Sequence, residues 1–150
     1  MKIRRFREGD AEGIIKMISR VMSEFGEYYD PVLDRDLRDI PKYYAKGGAF
    51  WVLADGKKIV GCVGVSRVSD KICKFRRFYL DEGYRGKGWG SKMFDLRMKF
   101  ARAKGYKTAW MVTSSNHKDA IAFVKDKGAR RSKKRLFPTK RAQLFFIYDL

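Results

Sequence analysis

Thiols, imidazoles and amides are nearly missing from this chain of 150 residues. It has two cysteines (Cys62 and Cys73), one histidine (His117), one asparagine (Asn116) and one glutamine (Gln143). Two thiols rule out a disulfide scaffold and a four-thiolate zinc site. A lone histidine at a helix start, with no second ligand nearby, makes no metal site. Few amides beside many charges is the composition reported for proteins of hyperthermophiles. No apolar run approaches the roughly 18 residues of a membrane span. The basic start Met1-Lys-Ile-Arg-Arg-Phe-Arg has no apolar stretch behind it, so no secretory signal is expected. Apolar residues at 45% and aromatics at 15% are enough for a buried core, which argues against disorder. The length fits one domain, residues 1–150. A single-domain cytoplasmic protein is the expectation that remains.

Acidic residues are outnumbered 17 to 35, a formal net charge of +18. The excess is uneven: residues 1–40 hold 8 basic and 9 acidic side chains, residues 41–150 hold 27 and 8. The densest run, from Lys125 through Lys127, Arg130, Arg131, Lys133, Lys134, Arg135 and Lys140 to Arg141, has only Asp126 against it. Such a run is a solvated face, a surface for an anionic cofactor or acidic partner, or a nucleic-acid surface.

Ile14, Ile15, Met17, Ile18, Val21 and Met22 recur at three-to-four spacing and predict an amphipathic helix with Asp10 as its N-cap. Residues 26–41 are irregular and acidic, with a short helix expected over 34–40 and ended by Pro41. Residues 50–54 and 59–65 read as strands joined through Asp55-Gly56, a turn pair that tolerates positive φ. An aromatic strand follows at 74–80. Then come a glycine-rich turn and a helix carrying Trp89, Met93, Leu96 and Phe100 on one face. A strand at 108–113, a short helix at 117–127 stopped by Gly128, and a closing strand at 143–149 complete the chain. Hairpins plus one strand–helix–strand crossover predict a single α/β domain with a mixed sheet.

The turn reads Arg85-Gly-Lys-Gly-Trp-Gly90 between a strand and a helix. Its glycines let backbone approach a ligand closely, and the amides opening the next helix suit an anion. Arg85 and Lys87 add charge, so a phosphate or pyrophosphate is the chemistry expected. A Walker loop needs lysine where Trp89 stands. A dinucleotide fingerprint needs its third glycine one residue later, where Ser91 stands.

Arg-x-x-Gly-x-Gly after an aromatic strand resembles the pyrophosphate loop of the GNAT N-acetyltransferase superfamily, and the resemblance runs along nearly the whole chain. Residues 4–22 look like that family's opening strand and helix, and 48–61 like its first hairpin. Residues 77–91 look like its acetyl-CoA motif, and 120–128 like its helix before the last hairpin. The resemblance implies an α/β (α+β) fold with a mixed, mostly antiparallel sheet, flanked by helices and holding two splayed parallel strands. It implies an enzyme, an N-acetyltransferase, with acetyl-CoA lying between strands 74–80 and 108–113. Backbone of Phe78 and Leu80 would bond the pantetheine arm, with Tyr79, Asn116 and Phe123 also at the cofactor. Amides of Arg85, Gly86, Lys87, Gly88, Trp89, Gly90 and Ser91 would cradle the pyrophosphate. A backbone N–H near Leu80 would meet the oxyanion as an amine attacks directly. Phe25, Tyr28 and Tyr29 would line the substrate pocket or else pack their loop. The family often forms homodimers.

Two departures from the family pattern stand out. The central-strand carboxylate found in many members is replaced by the stretch Cys73-Lys-Phe-Arg-Arg77, with Lys74 at the usual position. The tyrosine that often serves as acid is replaced by Val124. Bulk water suffices, Glu27, Tyr28 or Tyr29 substitutes, or the protein binds acetyl-CoA and catalyses poorly. Lys74, Arg76 and Arg77 on that strand argue against a polyamine and for an acidic acceptor, or an amine beside carboxylates or phosphates, on a small molecule or a protein substrate.

Asn116 caps the following helix or touches the cofactor. Trp89 packs under the turn or stacks on adenine, and Trp51 and Trp110 are expected in the core. Cys62 reads as core, while Cys73 is either core or near the thioester. The alternative function is a GNAT-fold module binding nucleic acid or the ribosome through residues 125–141, although aromatics there are few for base stacking.

Overall fold

Seven strands and four α-helices account for most of the described residues, 1–138 and 143–150, of this computed structural model. In chain order they are β1 (Lys2–Arg5), α1 (Ala11–Ser23), α2 (Ile40–Tyr44), β2 (Ala49–Asp55), β3 (Lys58–Arg67), β4 (Ile72–Leu80), α3 (Trp89–Ala103), β5 (Thr108–Ser114), α4 (Lys118–Asp126), β6 (Arg130–Ser132) and β7 (Gln143–Asp149). Single 3₁₀ turns lie at Arg35–Arg38 and Glu82–Tyr84. Lys140 and Arg141, the end of the basic run, lie outside the described residues.

The strands form one sheet in the order β1-β2-β3-β4-β5-β7-β6. Only β4 and β5 run parallel, joined by the crossover through α3, and every other pair is antiparallel. This is the mixed, mostly antiparallel sheet expected from the sequence. Helices cover both faces, so β2 is buried along its whole length up to Asp55. That explains why it reads as a continuous apolar run rather than an alternating one.

Strand alternation sorts the side chains into two cores. Trp51, Leu53, Val63, Val65, Cys73 and Phe75 pack against Met93, Phe94, Met98 and Ala101 of α3. Phe50, Val52, Ile59 and Cys62 pack against Ile14, Ile18, Met22 and Tyr44 of α1 and α2. Burying each of the larger aliphatic side chains contributes about 1.5–3 kcal/mol.

Two local expectations are corrected. Asp10 stands at the N-cap of α1, but its carboxylate does not cap the helix. Its oxygens are taken by both terminal nitrogens of Arg4 and by the Arg7 amide. Pro41 does not end a helix: the 3₁₀ turn stops at Arg38, and Pro41 sits in the first turn of α2. The missing N–H of proline costs nothing there.

Candidate functional site

Parallel pairing of β4 with β5 runs from Ile72↔Thr108 to Phe75↔Met111 and stops. Beyond it β4 stays paired with β3, and β5 with β7. The two strands therefore part into a wedge between residues 76–80 and 112–114. A bulge in β4 lies at the parting. Cys62 pairs with Tyr79 and Gly64 with Arg76, so Val63 faces both Arg77 and Phe78. Arg77 has φ 56°, the one positive value at a non-glycine residue among the described residues. Such a conformation costs about 1–3 kcal/mol and persists only where surroundings fix it.

The surroundings are the acidic residues of the 3₁₀ segment. The Arg77 guanidinium donates to Asp36 Oδ1 at 2.6 Å, Asp36 Oδ2 at 3.1 Å and Asp34 Oδ1 at 3.0 Å. The Cys62 thiol donates to the Arg77 carbonyl at 3.1 Å. Tyr44 donates to Asp36 Oδ2 at 2.6 Å. Burial pushes the Asp36 carboxyl up, but the hydrogen bonds and charge of Arg77, with Arg76 and Tyr44, hold it below its ordinary range.

Asp81 N donates to Val60 O at 2.8 Å. Strand alternation then turns the Tyr79 backbone toward β3 and the Phe78 and Leu80 backbone toward the open wedge. The Leu80 carbonyl already accepts from Arg85 Nε at 2.9 Å. The Tyr79 side chain packs on the α1 face, whereas Phe78 and Leu80 pack on the α3 face.

Past Arg85 the backbone is open. Gly86 (φ 73°) and Gly88 (φ 89°) take left-handed conformations, and a Cβ on either would meet nothing within 4 Å. Amides 86–91 donate to no backbone or side-chain acceptor among the described residues; the first amide of α3 to find one is Lys92, at Gly88 O. These free donors sit at the positive end of a 15-residue helix. The Trp89 ring packs against the α3-side core with the Lys92 ammonium 4.5 Å from its centre. Phe123 reaches the same region from α4, 5.6 Å from the Phe78 ring.

The segment after α1 spans the mouth of the wedge. On the β4 side, Glu24 takes both terminal nitrogens of Arg85 at 2.8 Å. Arg85 is thus already neutralised rather than a free phosphate ligand. On the β5 side, Glu27 Oε1 lies 2.6 Å from His117 Nε2, and the Phe25 ring lies tilted at 38° with its centre 4.0 Å from that of the imidazole. Asn116 does not cap α4. His117 occupies the N-cap, while Asn116 accepts from the Ser114 hydroxyl and donates to Phe25 O at 3.4 Å. Tyr28 is 77% exposed, and the buried Tyr29 hydroxyl has no partner among the described residues.

Of the three cations expected on the substrate face, Arg77 is balanced by Asp34 and Asp36. Arg76 lies 3.7 Å from Asp36. Lys74 has its ammonium 3.7 Å from the centre of the Phe137 ring, and that ring stacks on Trp110. Burial and then Arg76 pull the Lys74 pKa down. Trp110, expected in the core, is half-buried in this wall, with Phe137 stacked on it. Cys73 is wholly buried on the α3 face, and burial pushes its thiol to about 12, so it supplies no nucleophile at the wedge. Val124 is core. The nearby Tyr148 hydroxyl is buried and donates to the Val124 carbonyl at 2.7 Å, so it does not replace the missing tyrosine as acid.

The pairing of His117 with Glu27, the positive φ of Arg77 and the Glu24–Arg85 clasp carry no local sequence signal. Each depends on a partner brought by the fold. Within the basic run, Lys127 lies 3.8 Å from Asp95 and Arg130 lies 3.4 Å from Asp149. Among the described residues no group of three or more potential metal ligands is found, and no helix is long and apolar enough to cross a membrane.

Residues 16–129 match the family described as Acetyltransferase (GNAT) family. The chain is 29% identical over 133 residues to the uncharacterized N-acetyltransferase YjgM of Escherichia coli K12, covering 84% of this chain and 80% of that one. It is 29% identical over 118 residues to human N-acetyltransferase 8, covering 74% of this chain and 52% of that one. It is 32% identical over 107 residues to the N-acetylaspartate synthetase of Danio rerio, covering 69% of this chain and 38% of that one. It thus spans about half or less of these two animal relatives. In fold it is similar to an acetyltransferase from Streptococcus agalactiae, with a TM-score of 0.92 at 22% identity over 99% of this chain and 98% of that one. It is also similar to the PaiA N-acetyltransferase of Thermoplasma acidophilum in complex with coenzyme A, with a TM-score of 0.75 at 13% identity over 99% and 98% of the two chains.

Proposed function

The chain belongs to the GNAT family of N-acetyltransferases, and from that premise we propose that it moves an acetyl group from acetyl-CoA to the primary amine of a small acidic compound. The observation that carries this reading is the run of unengaged amides at 86–91, opening directly onto the wedge between β4 and β5. These donors, with the α3 dipole and the exposed Lys87, suit a diphosphate. The Phe78 backbone and the Leu80 N–H, turned toward the wedge, suit a pantetheine arm laid along β4 as an added strand. Arg85 orders the loop instead of binding the phosphates directly, since Glu24 and the Leu80 carbonyl hold it.

When bound, the thioester supplies an activated acetyl group. The protein holds the amine against it, which supplies much of the rate. A backbone N–H of the 78–80 edge would meet the oxygen that gains charge. Glu27, fixed by His117 on the segment over the wedge mouth, is the group proposed to take the ammonium proton.

The acceptor class follows from the wall around Lys74. Lys74 has no carboxylate within ion-pair reach among the described residues, and Arg76 stands beside it with one acid 3.7 Å away. A carboxylate-bearing amine is attracted there and a polyamine repelled. One relative's name, N-acetylaspartate synthetase, states an acidic amine of this kind. The test is free-thiol release from acetyl-CoA with aspartate, glutamate, glycine and spermidine as acceptors. The expected kcat/KM for the dicarboxylates exceeds that for spermidine at least tenfold. Faster turnover of spermidine overturns the assignment of the acceptor.

A further inference from the structure

Arg97 occupies the middle of α3 and is 0% exposed. Its Nε, Nη1 and Nη2 meet no hydrogen-bond acceptor among the described residues, and no carboxylate lies within ion-pair distance there. Three rings surround the guanidinium: Phe75 at 4.1 Å, Phe78 at 5.2 Å and Phe94 at 5.6 Å. Ring faces attract a cation, but they return only part of the hydration lost, and they accept none of its five N–H groups in plane. The Tyr148 hydroxyl donates to Val124 O and takes no hydrogen bond from Arg97, and Cys73 is a buried neutral thiol. Burial pulls the Arg97 pKa down to about 9, which leaves it charged at neutral pH. A buried cation with nothing to bond is among the costliest features a fold can carry.

Its position says where the missing acceptors enter. Phe75 is the last β4 residue paired with β5, and Phe78, in the bulge, is the next β4 residue to pack on the α3 face. The guanidinium therefore lies under the bulge, at the closed end of the wedge. The immediate walls are aromatic, and the wedge is the opening beside them. We propose that Arg97 is a binding residue that donates hydrogen bonds to the oxygen-bearing, thioester end of an acyl-CoA arm lodged between β4 and β5. This rests on the reading of the wedge given above and adds to it a donor beneath the sheet. A small inorganic anion offers similar acceptors, and the experiment separates the two sources.

The wild type and Arg97→Met are melted alone, with acetyl-CoA, and with sodium chloride at the same ionic strength. Methionine fills the site without charge, so the empty variant is expected to melt higher than the empty wild type. Its acetyl-CoA dissociation constant is expected to weaken at least tenfold, and its ligand-induced melting shift to shrink accordingly. A merely structural arginine would not move these two quantities in opposite senses. Unchanged acetyl-CoA affinity in the variant overturns the proposal. So does a wild-type stabilisation produced by chloride alone and not increased by acetyl-CoA. If the wild type binds no acetyl-CoA at all, the reading of the wedge itself fails. Proton–nitrogen NMR of the wild type gives a variant-independent check. The buried Arg97 Nε–H resonance should shift with acetyl-CoA and stay in place with chloride; no shift with acetyl-CoA overturns the proposal.

Discussion

Glu27 and His117 are separated by 90 positions in the chain and by 2.6 Å in space. Neither stands where the family's usual acid and base would be, since those positions hold Lys74 and Val124. On the proposed mechanism their pairing supplies the proton-handling group at the wedge mouth. If Glu27 takes the ammonium proton, Glu27→Gln should lower kcat about 100-fold or more. Acetyl-CoA affinity should change little. A variant that only melts lower, with kcat intact, would show that Glu27 serves to pin the segment. The sequence placed Glu27 among three candidates by analogy alone. It was silent on His117 as partner, because contacts of that separation leave no periodic trace. The helix cap at Asn116 and the core position of Trp110 fail for a related reason: cap geometry and burial are set by tertiary neighbours.

At the scale of the element, β4 decides whether a wedge exists. Its bulge sets Arg77 in a left-handed conformation, and two carboxylates from the 3₁₀ segment hold it there. Removing one partner from such a buried pair costs about 3–5 kcal/mol, so Asp36→Asn should unfold in urea with that much less stability at pH 7. The Asp36 carboxyl is held below its unfolded value of about 3.9. Its contribution is therefore complete above that pH and is lost as pH falls through the folded value. The stability gap between wild type and Asp36→Asn should narrow below about pH 4, as seen in parallel urea melts at pH 7 and pH 3. An undiminished gap at pH 3 would contradict the ion-pair account. Regular elements were legible before any coordinates: the Asp55-Gly56 hairpin, the amphipathic α1, and the glycine turn that leads into α3. The bulge was not, because nothing local in Cys-Lys-Phe-Arg-Arg distinguishes it from an unbroken strand. Pro41 was misread because proline ends one helix and opens another with equal ease.

Across the whole molecule, the acidic first 40 residues and the basic remainder interlock. Glu24, Asp34 and Asp36 reach across to Arg85 and Arg77 and hold the site together, and the net charge of +18 stands after every acid has been counted against a base. That excess gives an anionic ligand a favourable approach that salt should weaken. The most direct measurement of the central claim compares acetyl-CoA with S-acetylpantetheine, which keeps the thioester and lacks the diphosphate. At about 100 times its dissociation constant, acetyl-CoA should stabilise the fold by about 2.7 kcal/mol. For a chain of this size that raises the melting temperature by about 5–10 °C, while S-acetylpantetheine at the same concentration leaves it nearly unchanged. No response to acetyl-CoA, or an equal response to both compounds, would contradict the claim that amides 86–91 grip a diphosphate at the mouth of the wedge.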